Sequence, residues 1–210
     1  MSIKSKYRGD TMNIGALILM GGKNSRMEGN IKGLLKINDI TFLEKIISVL
    51  EDFPTIYLSV NKRFSSEEIK KYEEMGLSVI VDIYDDIGPI GGMYSALKNC
   101  KEDCLFITGC DMPFINKDLI NILKSNMKQN IDIALFSKNK LLYPLGAIYS
   151  KNVISFMEKQ ISNKEYKLSK LIRNSNFIEL PLEDINLSDN SFENINTLEE
   201  YNQLIRCCNK

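Results

Sequence analysis

Short apolar runs alternate along the chain with stretches whose apolar positions recur every three or four residues, and the two periods predict strands and helices in turn. The first run, 14–20, is almost continuously apolar and stops at Gly21 and Gly22, as a strand buried on both faces does where its C-terminal end opens into a loop. Thr41, followed three residues later by Glu44, is a capping box for a helix that turns Leu43, Ile46, Ile47 and Leu50 to one face. A strand over 56–60 runs into Asn61, a helix over 65–75 stops at Gly76, and a third strand over 77–81 delivers Asp82. Pro89 after Gly88 suits the first turn of a helix reaching about residue 99, whose N-terminal N–H groups are free for a ligand. A fourth strand over 104–108 leads to Asp111, and Asn116 caps a helix over 117–127. The second half is less regular. It reads as strands over 131–136, 141–149 and 177–181, an amphipathic helix over 151–160, a short helix over 167–172, a strand-like Phe192 and a last helix over 198–207.

Four strand–helix units in succession predict an α/β fold, a doubly wound, mostly parallel, Rossmann-like sheet with right-handed crossovers and its ligand at the C-terminal strand ends. With 210 residues, 44% of them hydrophobic, the chain can bury the core of one domain, and no repeat or linker divides 12–210. Residues 1–11 show no periodicity and read as a disordered tail, and Met12 could itself be a start. Lys and Arg total 27, as do Asp and Glu, and no basic run tracks a phosphate backbone, so nucleic acid is not an expected partner. The apolar runs are too short to span a bilayer and 1–11 lacks the apolar core of a signal peptide, so no membrane association and a cytoplasmic location are expected.

Composition then narrows the chemistry. There is no histidine, which removes Ser-His-Asp and Cys-His catalysis and the imidazole base. Cys100, Cys104, Cys110, Cys207 and Cys208 lack zinc-site spacing and are expected to be buried free thiols. Carboxylates, Lys, Arg and a metal remain. The Gly21-Gly22 loop can bring successive N–H groups onto phosphate oxygens, with Arg26 and Lys32 adding positive charge. It is not a Walker loop, because Leu17 stands where that pattern needs glycine. Asp111, just past a buried strand and stiffened by Pro113, suits Mg²⁺, which takes one or two carboxylates together with substrate phosphates.

Leu19-x-Gly21-Gly22-x-x-Ser25-Arg26-Met27 with Lys32, then Asp82 with Gly88-Pro89-Ile90-Gly91-Gly92, then Cys110-Asp111-x-Pro113, and finally Phe192-x-Asn194-Ile195-Asn196-Thr197 resemble, in this order, the motifs of the molybdenum cofactor guanylyltransferases. The resemblance covers 13 to about 204. It implies a fold of the nucleotide-diphospho-sugar transferase type, with an N-terminal nucleotide-binding part and a C-terminal molybdopterin-binding part. It implies that Leu19, Met20, Gly21, Gly22, Lys32, Asn61, Asp82, Gly88, Gly91 and Asp111 line the nucleotide site, that Asp111 holds Mg²⁺, and that Asn194 and Asn196 contact the pterin, whose edge side-chain amides can pair. Asn196 or Thr197 can equally cap the last helix.

The activity implied is transfer of GMP from GTP to the terminal phosphate of molybdenum-bearing molybdopterin, with release of pyrophosphate. A cofactor chaperone or an acceptor molybdoenzyme would be the protein partner. The missing histidine fits, because a phosphate monoester with a second pKa near ~6 is already anionic at neutral pH and needs no base. Lys32, Arg26 and Asp111 would then carry catalysis by neutralising charge. Besides the mild changes of Ile90 for Leu and Gly91 for Ala, four positions depart from the family pattern: Met20 for Ala, adding bulk beside base or ribose; Glu28 for Gly, near the triphosphate; Ile31 for Asp or Asn; and Tyr143 for His. The alternatives are a relative using CTP on molybdopterin or a nucleotide on a sugar phosphate, and a degenerate, non-catalytic homologue that binds nucleotide or pterin.

Overall fold

A computed structural model describes residues 12–20, 26–27, 30–185 and 189–208. Strand β1 (Ile14–Leu19) is followed by the short hairpins β2 (Arg26–Met27) with β3 (Asn30–Ile31) and β4 (Lys36–Ile37) with β5 (Ile40–Thr41). Helix α1 (Phe42–Leu50), β6 (Ile56–Val60), α2 (Ser66–Glu74), β7 (Ser78–Val81), α3 (Pro89–Asn99), β8 (Cys104–Gly109) and α4 (Lys117–Asn126) follow in strict alternation. The rest comprises β9 (Ile133–Lys138), β10 (Leu141–Leu142), β11 (Ala147–Ser150), α5 (Ile154–Ser162), α6 (Leu168–Arg173), β12 (Phe177–Pro181) and α7 (Leu198–Cys208). The central sheet runs β10-β9-β11-β8-β1-β6-β7, with β12 pairing to β9. β8, β1, β6 and β7 are mutually parallel, and β11 is antiparallel to both β8 and β9.

The period of two along the strands builds two apolar layers. Ala16, Ile18, Leu58, Val60, Phe106 and Phe136 face one side, under Leu43, Ile46 and Leu50 of α1 and Leu119, Ile120 and Leu123 of α4. Leu17, Leu19, Leu105, Ile107, Leu135 and Tyr149 face the other, under α3, α5 and α6. Each fully buried Leu or Ile contributes roughly 1.5–3 kcal/mol, so the alternation fixes which face each helix covers. α1 starts at Thr41 in the expected capping box, Thr41 Oγ1 accepting from the Glu44 N–H and the Glu44 carboxylate from the Thr41 N–H. Among the described residues no helix is long and apolar enough to cross a membrane.

The irregular half departs from expectation in four places. The strand expected over 131–136 sits at Ile133–Lys138, and the helix expected from 151 begins as a 3-10 turn, Lys151–Val153, before α5. The single strand expected over 141–149 is two strands, because Pro144 has no N–H for a ladder and Gly146 takes φ +70°, so β11 resumes in a different register on β9. Phe192 is not in a strand but ends a 3-10 turn, Asp189–Phe192. Its ring is buried by stacking on Tyr143 at 4.5 Å and tilting against Phe136 at 5.4 Å, so aromatic packing replaces strand pairing. The expectations for the tail over 1–11, Gly21, Gly22, Glu28, Cys208 beyond its backbone, and the side chain of Arg26 lie outside the described residues.

Candidate functional site

The expected site residues with described positions gather at the C-terminal ends of β1, β6, β7 and β8 and on the segment that enters α7. At the β7 end, Asp82 is 7% exposed and its Oδ1 accepts a 2.6 Å hydrogen bond from Ser59 Oγ of β6. Burial pushes its carboxyl up from an ordinary 3.8 to about 6; Ser59 pulls it down, Asp85 adds to the rise and Lys62 opposes it. The first turn of α3 packs on Ser59, the residue that donates to this carboxylate. Gly88 precedes it with φ +76° and ψ −163°, a conformation closed to residues with a Cβ. A Cβ on Gly92 would lie 2.3 Å from Ser59 Oγ and 2.9 Å from Leu19 Cδ2, so only glycine lets the helix reach the strand ends. Gly92→Ala should cost about 1–3 kcal/mol by overpacking and lower the melting temperature by several degrees; an unchanged melting curve would show that the helix can retreat freely. Asn61, half-buried at the β6 end, has its Oδ1 bound by the Arg63 N–H at 3.0 Å.

The second group lies at the ends of β1 and β8. Lys32 opens a 3-10 turn, Lys32–Leu34, and is 2% exposed. The turn is seated on the core, for a Cβ on Gly33 would sit 3.2 Å from Met20 Sδ and 3.4 Å from Cys110 Cβ. Lys32 Nζ donates to Asn196 Oδ1 at 2.7 Å and lies 3.7 Å from Asp111 Oδ2. The Asp111 side chain, 22% exposed, folds back over Gly109, where a Cβ would be 2.4 Å from its Oδ1. Burial raises the Asp111 carboxyl above its ordinary range, with the Lys32 charge acting against that rise. The Ile195 N–H donates to the Asp111 carbonyl at 2.9 Å, tying the C-terminal segment to the end of β8.

Met20 does not place its bulk beside a base or ribose: the side chain is fully buried in the α1-side core, because the residue just past β1 continues the strand's alternation onto the face of Ala16 and Ile18. Its N–H donates to the Ser59 carbonyl at 2.9 Å, so only the Met20 carbonyl remains for a ligand. Leu19 likewise packs under α3 and its carbonyl accepts from the Cys110 N–H at 3.0 Å. Ile31 packs against the core, which accounts for an apolar residue there. Asn194 is exposed and Gly91 lies in the buried first turn of α3. Cys100, Cys104 and Cys110 are buried free thiols as expected, and burial pushes Cys104 and Cys110 up to about 12, so neither is a nucleophile; Cys207, contrary to expectation, is exposed. Thr197 caps α7, its Oγ1 accepting from the Glu200 N–H at 3.2 Å, so the capping role falls to Thr197 and leaves the Asn196 side chain to Lys32.

Ser59 escaped the sequence reading, and Gly92 was named in a motif without a role of its own. The available signal was a hydroxyl residue inside an otherwise apolar strand, facing the helix that carries paired glycines. Among the described residues no three His, Cys, Asp or Glu side chains form a metal cage. Asp111 offers one carboxylate at the strand ends, and Mg²⁺ takes one or two carboxylates together with substrate oxygens, so the chemistry of this residue suits a hard cation completed by a ligand. In the strand order Asp82 and Asp111 follow β7 and β8, three spacings apart, ~14 Å at ~4.8 Å each, with Asn61 at the end of β6 between them. A long, charged ligand laid across the strand ends would meet a buried acceptor at one end and a cation at the other.

The model of the MobA-like NTP transferase domain matches residues 16–179. A probable molybdenum cofactor guanylyltransferase of Clostridium perfringens is 39% identical over 200 residues, covering 91% of this chain and 96% of that protein. The molybdenum cofactor guanylyltransferase of Photobacterium profundum is 28% identical over 187 residues, covering 89% and 93%. Among solved structures, molybdopterin-guanine dinucleotide biosynthesis protein A from Archaeoglobus fulgidus superposes with a TM-score of 0.76 at 22% identity, covering 93% of this chain and 98% of that one. At that identity the superposition speaks to the fold, a mostly parallel sheet with helices on both sides.

Proposed function

The chain belongs to the MobA-like NTP transferase family and is a nucleotidyltransferase, and from that premise we propose that it transfers GMP from GTP to molybdopterin. The observation that carries the site assignment is the Lys32–Asp111 pair, a nearly fully buried cation beside a carboxylate at the strand ends. In the reaction a terminal phosphate oxygen of molybdopterin attacks the α-phosphorus of GTP. The bond from that phosphorus to the bridging oxygen breaks, and pyrophosphate leaves. The nucleophile is already an anion, so the barrier is lowered by charge neutralisation and in-line placement. Lys32 holds its charge against the phosphates, and Asp111 is the residue that would hold Mg²⁺. Bound there with the triphosphate, Mg²⁺ would offset charge on the phosphate oxygens. The test is incubation with Mg²⁺, molybdopterin and each nucleoside triphosphate in turn, assaying dinucleotide and pyrophosphate; a CTP product in place of the GTP product would move the assignment to a cytidylyl relative.

Asp82 supports guanine as the base. Guanine presents two adjacent donors, its ring N–H and its exocyclic amine, and an ionised carboxylate accepts both, whereas adenine and cytosine each present an acceptor beside a donor. Left with a mismatched base, the buried carboxylate would lose partners, which penalises the wrong nucleotide. The raised pKa gives this reading a pH signature. Folded Asp82 keeps a proton that the unfolded chain has released, so in the free protein its stabilising effect is full below about pH 4 and is lost as pH rises through about 6. Guanine binding requires the opposite form, so GTP affinity should rise across that window. The triphosphate titrates nearby, and its effect cancels in the ratio of wild-type to Asp82→Asn dissociation constants. That ratio should change by roughly tenfold per pH unit below about 6 and level off above; a flat ratio would remove Asp82 from the base site.

A further inference from the structure

We infer that Asn196 is a positioning residue for Lys32: its side-chain carbonyl holds the ammonium at the phosphate end of the site, so the C-terminal segment contributes to nucleotide binding before any pterin arrives. The inference rests on the nucleotide reading of Lys32 and goes beyond it. A primary ammonium has three donors and no acceptor, and one that is 2% exposed has little water to supply what the protein does not. Among the described residues its closest acceptor is Asn196 Oδ1 at 2.7 Å, from a residue 164 positions away; Asp111 Oδ2 is an ångström further. At 3.7 Å Asp111 is an ion-pair neighbour and not a hydrogen-bond acceptor, so among the described residues Asn196 takes one N–H and the ammonium has donors to offer a phosphate oxygen.

The segment that carries Asn196 is fixed from several sides. The Ile195 N–H is bound to the Asp111 carbonyl, and the Ile195 side chain is buried against Ile37 and Phe42. The Asn196 and Thr197 N–H groups both donate to Glu200 Oε2, at 2.6 and 3.0 Å. One turn later the Tyr201 hydroxyl donates to the Lys36 carbonyl at 2.8 Å, and its ring meets Phe42 edge-on at 6.1 Å. α7 is thereby locked to the same 32–42 stretch that carries Lys32. The Asn196 amide is presented by a preorganised backbone, which lowers the ordering cost of holding the Lys32 chain in one rotamer.

The test is the dissociation constant of GTP with Mg²⁺ and without molybdopterin, measured by calorimetry on the wild type, Asn196→Leu, Lys32→Ala, the double variant and Thr197→Ala. Thr197→Ala is the control, since it loosens the cap of α7 without touching Lys32. Asn196→Leu should weaken GTP binding on the order of tenfold, the scale of one hydrogen bond to a charged group. The double variant should bind no more weakly than Lys32→Ala, because both act through one ammonium, and Thr197→Ala should bind as wild type. Wild-type binding by Asn196→Leu beside a weakened Lys32→Ala, additive losses in the double variant, or a Thr197→Ala loss equal to that of Asn196→Leu would each overturn the positioning role. Lys32→Ala binding GTP as tightly as wild type would instead overturn the nucleotide reading of the site.

Discussion

Asp111→Asn should give a protein that folds and melts like the wild type but has lost at least ~10³-fold in turnover, a scale above that of removing one preorganised donor. The two halves of this expectation have separate causes. The carboxyl is held above its ordinary range chiefly by burial, so its charge is a burden to the folded state that the neutral amide does not carry. Against this, Lys32 loses an anion 3.7 Å away, but it keeps Asn196 Oδ1 at 2.7 Å. The net change in stability is therefore small and of either sign. Turnover has no such compensation, because an amide is a poor ligand for a hard cation. Calorimetric melting together with a dinucleotide assay separates the two; activity within a few fold of wild type would take Asp111 out of the catalytic centre.

The sequence made the parallel half legible because there each signal is local. The capping box at Thr41 and Glu44, the stop at Gly76, Pro89 behind Gly88 and the cap at Asn116 each lie within a few residues of the element they bound. Asp82 and Asp111 were visible as the polar residues that end apolar runs. What escaped was set by long-range packing. Phe192 looks like a strand residue until Tyr143 and Phe136 are known to bury it. Met20 ends the first apolar run beside a glycine loop, and only the sheet's alternation shows that its side chain belongs to the core. Ser59 and Gly92 matter through a contact between a strand and a helix whose separation no periodicity encodes. The Lys32 to Asn196 bond joins opposite ends of the chain, and the motif at 192–197 gave Asn196 a role toward substrate or as a helix cap, not toward Lys32.

Lys32→Ala should be the most damaging substitution after Asp111→Asn, and its kinetics carry more information than its size. Removing the ammonium takes a charge-assisted contact from bound GTP, on the order of tenfold in affinity. The larger loss, ~10²-fold or more, should fall on kcat, because negative charge grows on the departing pyrophosphate and a fixed cation beside it is worth more in the transition state than in the ground state. Stability should also drop by on the order of 1–2 kcal/mol, below the scale of a fully buried broken pair, since Asp111 is partly solvated and 3.7 Å distant. Lys32→Arg should recover little: the guanidinium is broader than the ammonium, and the residue sits in a turn closed down on Met20 and Cys110 with 2% of its surface free. A loss confined to KM would mean that Lys32 holds substrate and transition state equally, leaving rate acceleration to other groups. A wild-type kcat and KM in Lys32→Ala would mean that no triphosphate is held at the end of β1, and the site would have to be sought elsewhere on the sheet.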